Sequence, residues 1–169
     1  MQQTDYFLNV DDKKVKGEST AKDHEDEIQL YEFSWGENQE GSGGGGGGAG
    51  AGKVKMGDLV VRMQMNKASP ELMLACAKGA HYDKVVLTCR KAGGKQENYL
   101  AWTLTEAIVT KYETTGKEVQ VNGETTVIPL DEVRFGFKSI KVEYKPQKND
   151  GSLGPAVTAG WDRKTTGTM

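Results

Sequence analysis

Apolar residues recur at every second position in six separate stretches of this chain, and only extended strands place such residues on one face. Tyr6, Leu8 and Val10 alternate with Phe7 and Asn9, and Ile28 and Leu30 lead into Tyr31-Glu32-Phe33-Ser34-Trp35. Leu59, Val61, Met63 and Met65 alternate with Val60, Arg62 and Gln64. Val85, Leu87 and Cys89 alternate with Val86, Thr88 and Arg90, and Leu100, Trp102 and Leu104 with Ala101, Thr103 and Thr105.

The sixth stretch constrains the shape. Val133, Phe135 and Phe137 share one parity, while Ile140, Val142 and Tyr144 share the other. An uninterrupted strand cannot turn both trios to one face, so a bulge or bend is expected near Lys138-Ser139, where the sheet curls. A mainly β fold follows, a barrel or strongly bent sandwich.

One helix interrupts the strands. Ser69 is the expected N-cap, Pro70 suits the first turn, Glu71 favours its positive end, and Gly79 closes it. Leu72, Met73, Leu74, Ala75, Cys76 and Ala77 leave it apolar on nearly every side, so more than one side needs a cover. Val121-Asn122-Gly123-Glu124 predicts a type I′ turn in a short hairpin arm over residues 112–127. Nine of the twelve residues 41–52 are glycine, which predicts a flexible connector. The forty residues before that tract hold too few strands to stand alone. The tract therefore joins strands of a single domain spanning residues 1–169.

Composition removes whole classes of function. A net charge of −2 offers no basic surplus for a phosphate backbone, so no nucleic-acid partner is expected. No apolar run approaches the roughly 18 residues of a membrane span, and the first residues do not resemble a secretory signal. Residues 47–53 fit G-x-x-x-x-G-K, but the hydroxyl residue that should follow is Val54 and strand-like sequence comes next. We read them as a mobile loop. His24-Glu25-Asp26-Glu27 is expected to be a solvated charge run, because neighbours on a strand point to opposite faces. Asp131 and Glu132 face apart for the same reason. Cys76 and Cys89, with His24 and His81, are too few for a disulfide scaffold or thiolate zinc site. No catalytic residue, metal or cofactor is expected.

Six longer strings carry a more specific signal. They are Lys16-Gly17-Glu18-Ser19-Thr20, Phe33-Ser34-Trp35-Gly36, Lys67-Ala68-Ser69-Pro70-Glu71-Leu72-Met73-Leu74-Ala75-Cys76, Leu87-Thr88-Cys89-Arg90-Lys91-Ala92-Gly93-Gly94, Tyr144-Lys145-Pro146-Gln147-Lys148 and Gly160-Trp161-Asp162. In this order they closely resemble the haemolysin-coregulated protein family, which forms the tube of the bacterial type VI secretion system. The resemblance implies a two-sheet, barrel-like sandwich with one short helix and an extended hairpin or loop, assembling into a hexameric ring. It also implies rings stacked inside a contractile sheath beneath a spike, and small effector proteins carried in the lumen. The protein would be made in the bacterial cytoplasm and secreted without a cleaved leader, with no membrane insertion.

Residue by residue, the resemblance places Ser34 on the lumen, where effectors bind, although Phe33 replaces the family's first tryptophan. It places Gly93, Gly94 and Lys164 where stacked rings meet. Leu72 and Leu74 are expected in the core or the subunit contact. The purer glycine tract and the Asn122-Gly123 hairpin depart from the best-known members, so effector specificity does not transfer. Two other readings compete: a monomeric β-barrel holding a small apolar ligand, and an enzyme using Cys76 or Cys89 with His81.

Overall fold

The alternating stretches become antiparallel strands in the computed structural model, which describes residues 4–39, 54–91 and 95–169. In chain order they are β1 (Thr4–Val10), β2 (Ile28–Leu30), β3 (Glu32–Ser34), β4 (Glu37–Gln39), β5 (Val54–Met56) and β6 (Leu59–Gln64). Helix α1 (Ser69–Lys78) follows, then β7 (His81–Lys91), β8 (Asn98–Val121), β9 (Glu124–Gly136), β10 (Ser139–Tyr144), β11 (Val157–Asp162) and β12 (Gly167–Thr168). One path through the main sheet runs β12-β11-β10-β8-β7-β1-β2. A second wing, β3-β6-β9, joins it along β8, and among the described residues β4 pairs only with β5. The glycine tract and the G-x-x-x-x-G-K pattern lie outside the described residues, but the strands on either side of them, β4 and β5, pair, as do β3 and β6 beyond those.

The bend falls where the parity switch requires it. β9 and β10 follow one another along β8, with Gly136 opposite Ile108 and Ser139 opposite Thr105, and the ladder breaks at Phe137-Lys138. β8 breaks step at the same level: Glu106 adopts φ 45°, and burial passes from Leu104 to Ala107 and Val109. Lys138 Nζ donates to Glu106 Oε1 at 2.8 Å across the kink. Val133, Phe135, Phe137 and Ile140 are all buried as a result. The run 28–35, read as one strand, is cut at Tyr31: β2 stays on β1 while β3 crosses to β6. The sheet curls without forming a closed barrel. Leu8, Ile28, Leu59, Val61, Leu87 and Leu104 fill the space inside the curl.

Three local expectations need correction. Ser69 does not cap the helix: Ala68 holds the N-cap position with no side-chain cap, and Ser69 Oγ accepts the Asn66 N–H at 3.0 Å. Asn66 Oδ1 in turn accepts the Ala68 N–H at 2.9 Å, so an asparagine turn leads into the helix. At the other end Gly79 is left-handed, as expected.

The second correction concerns Phe7 and the acidic run. Phe7 lies on the polar parity of β1, yet it is buried, because the segment 17–27 folds over that side of the sheet. His24 stacks on it at 4.2 Å between centroids, and Arg90 lies over the same ring. His24 Nδ1 bonds Glu27 Oε2 at 2.7 Å, and Asn9 Nδ2 donates to Glu27 Oε1 at 3.0 Å. His24 Nε2 meets Asn98 Oδ1 at 3.0 Å. Burial pulls the imidazole down, but its bonds to Glu27 and Asn98 outweigh that and hold it above its ordinary value. The run is therefore no solvated face: its first and last members form a buried lock, because a packed polar pair needs only a partner within reach.

The hairpin arm is the third. Asn122 and Gly123 both take positive φ, as a type I′ turn demands. The arm is long, however, with β8 and β9 paired in step from Tyr112–Val133 out to Val121–Glu124.

Candidate functional site

Ser34 lies exposed on β3, opposite Val60 of β6, which in turn stands opposite Arg134 of β9. Two pairs along the ladder, Glu32 faces Arg62, Arg62 faces Glu132, and Glu132 faces Glu113 of β8. Val61, Val133 and Phe33 occupy the opposite parity and turn toward the core. Alternation thus puts Ser34 and a row of charges on one side of four strands.

The row is cross-linked. Arg62 donates from Nη1 to Glu32 Oε1 at 2.7 Å, and from Nε and Nη2 to Glu132 Oε2 at 3.1 and 3.0 Å. Arg134 donates from Nε and Nη2 to Glu132 Oε1 at 3.0 and 2.9 Å. Lys111 Nζ sits 3.0 Å from Glu113 Oε2 and 3.5 Å from Glu132 Oε1. Hydrogen bonds from Arg134, opposed by partial burial and reinforced by Arg62, hold Glu132 below the usual carboxylate range. Asp131, its neighbour, turns inward and is buried, accepting from Tyr112 and Thr114, so the two carboxylates do face apart.

The remaining residues singled out in the sequence are spread over the fold. Leu72 is completely buried beneath the helix with Ser69 and Ala75, whereas Leu74 is 45% exposed and Met73 51%. Lys164 sits exposed in the turn after β11, on the wing away from Ser34, its N–H donating to Asp162 Oδ1 at 2.8 Å. Gly93 and Gly94 lie outside the described residues. Cys89 is buried in β7, and burial pushes its thiol up to about 12. His81 is exposed at the other end of the same strand. Among the described residues no cluster of His, Cys, Asp or Glu is arranged to hold a metal.

Sequence reasoning singled out Ser34 but not the row of charges beside it. Each charge lies on a polar parity position, which is visible. The pairing of residues 32, 62 and 132 is not, since it depends on which strands become neighbours.

Comparison with known proteins agrees along the chain. Residues 7–144 match the family described as "Type VI secretion system effector, Hcp". Protein hcp1 of Pseudomonas aeruginosa strain PAO1 is 42% identical over 160 residues, covering 94% of each chain. A solved type six secretion system protein superposes with a TM-score of 0.88 at 27% identity, covering 99% of this chain and 100% of its own. Hcp1 of Salmonella typhimurium gives 0.77 at 27% identity, with complete coverage of both.

Proposed function

The chain belongs to the Hcp family of type VI secretion proteins, and from that premise we propose that six copies close side by side into a ring whose inner wall is the Ser34 face. The protein is a structural, secreted component of the secretion tube and not an enzyme. Its rings stack through Gly93 and Gly94 against the region of Lys164. The resulting tube lies inside a contractile sheath, carries the spike at its tip and holds small effector proteins in its lumen. The subunit is a single domain made in the bacterial cytoplasm and exported by the machine it builds.

One observation carries the ring: among the described residues, two different apolar surfaces stay uncovered. The first is the outer flank of α1, where Met73 and Leu74 are half-exposed. The second is an open groove of about 680 Å³ walled by Trp35, Met56, Trp102, Ile140 and Trp161. Closed rotational rings join one patch of a subunit to a different patch of its neighbour, and two separate uncovered apolar surfaces support such a contact. A monomeric carrier of a small apolar ligand would use the groove alone and would leave the helix flank unexplained; the family relationship does not favour it.

Light scattering on the purified protein in mild buffer tests the reading. The expected native mass is about six times the 18.4 kDa of one chain. A mass equal to one chain at high concentration would exclude the ring.

A further inference from the structure

We infer that Glu132 masks the cations of the Ser34 face, so that the wall of the assembled ring takes mixed-charge folded proteins without gripping anionic ones. The inference rests on the proposal that this face lines a lumen. Glu132 is the hub of the row: its two oxygens take Arg62, Arg134 and Lys111 together. With Glu32 and Glu113 at the two ends, three carboxylates meet three cations, and each cation is within ion-pair distance of a carboxylate.

Stability does not account for such a row. Single solvent-facing ion pairs contribute little to folding. What the row changes is the potential beyond the sheet. Opposite charges about 3 Å apart cancel at the distance of a passing protein, whereas an unpaired charge is felt out to about a Debye length, near 8–10 Å. In a closed ring every such charge is repeated by each copy, and the repeated fields add across the enclosed space. Neutralising Glu132 would strip Arg134 of its carboxylate and leave Arg62 and Lys111 with one partner each, Glu32 and Glu113, so that each copy turns one more net positive charge toward that space. The carboxylate thus acts as a specificity residue, and the cargo class that fits the intact wall is a folded protein with both signs on its surface.

The assay compares wild type with Glu132→Gln, after native mass has shown both to be assembled. Labelled α-lactalbumin, which is acidic, and lysozyme, which is basic, are offered at low and high ionic strength. Wild type is expected to hold both weakly and with little dependence on salt. The variant is expected to hold the acidic probe about tenfold more strongly at low salt, with the gain lost at high salt and no gain for lysozyme. Equal retention of the acidic probe by both proteins would overturn the inference.

A second arm separates this from the lumen proposal, using α-lactalbumin coupled directly to beads too wide to enter a ring. Gain for the free probe alone supports both ideas. Gain on beads as well supports the masking but places the face outside, contradicting the lumen. If Glu132→Gln fails to assemble, Glu32→Gln, which frees one arm of Arg62, goes through the same assay; a smaller gain is expected, and none would overturn the inference.

Discussion

Replacing Leu72 by aspartate is expected to abolish the folded subunit, while the same change at Leu74 is expected to leave it folded and break the ring. The two side chains are two positions apart on α1 but have opposite surroundings. Leu72 has no exposed surface, and its flank of the helix, with Ser69 and Ala75, packs onto the sheet. Truncating a buried leucine to alanine costs about 2–5 kcal/mol, and burying a carboxylate there costs more. A typical domain has only about 5–15 kcal/mol to lose. Leu74, at 45% exposure, meets no such penalty in the isolated chain. Thermal unfolding and native mass, measured on both variants, separate the effects. A Leu72→Asp protein that melts like wild type would contradict the packing of the helix. A Leu74→Asp protein that keeps its full mass would remove the helix flank from the subunit contact.

Gly17→Ala carries the second large effect, and its cause is close approach of backbone. A Cβ at this position would lie 2.2 Å from the Glu27 carbonyl oxygen and 2.5 Å from the Ile28 Cα. Neither atom belongs to a side chain that could rotate away. The Gly17 N–H also bonds the Asp26 carbonyl at 2.8 Å, which ties the two stretches together. The segment bearing His24 and Glu27 would have to lift from Phe7 and break its bonds to Asn9 and Asn98. The expected loss is about 3 kcal/mol, a fall of about 6–12 °C in Tm for a chain of this length. An unchanged Tm would mean that segment 17–27 is not seated as described.

These two residues also show what the sequence could and could not convey. Gly17 stands out within the Lys16–Thr20 string, but nothing local says that residues 26–28 press against it, since that contact is made by chain folding back from ten residues away. Phe7 misled for the same reason: its parity assigned it to the polar side, and only the covering segment made that side a second small core. By contrast, the parity switch between Phe137 and Ile140 did locate the bend, because a two-residue period leaves no other way to bury Phe137 and Ile140 together, although of the second trio only Ile140 is buried, with Val142 half-buried and Tyr144 exposed. The Asn122-Gly123 turn was equally clear, being fixed by local dihedral preference. The length of the arm was not, since Glu113, Thr115, Lys117 and Thr125 show no apolar alternation from which to count.

The candidate surface divides along the same line. Ser34 was singled out through the resemblance carried by Phe33-Ser34-Trp35-Gly36. Its setting in a row running from Glu32 through Arg62 to Glu132 was not, because those residues come from three strands far apart in sequence that become neighbours only when β3 crosses to β6. The helix flank falls between the two cases. Its surplus of apolar residues was visible, but which leucine is inside required the helix to be docked.

All of this depends on identical subunits surrounding a hollow, and direct imaging of the purified protein by negative-stain electron microscopy tests it most plainly. Annular particles with sixfold symmetry and an open centre are the predicted result. A field of small solid particles, each the size of one chain, would contradict the account.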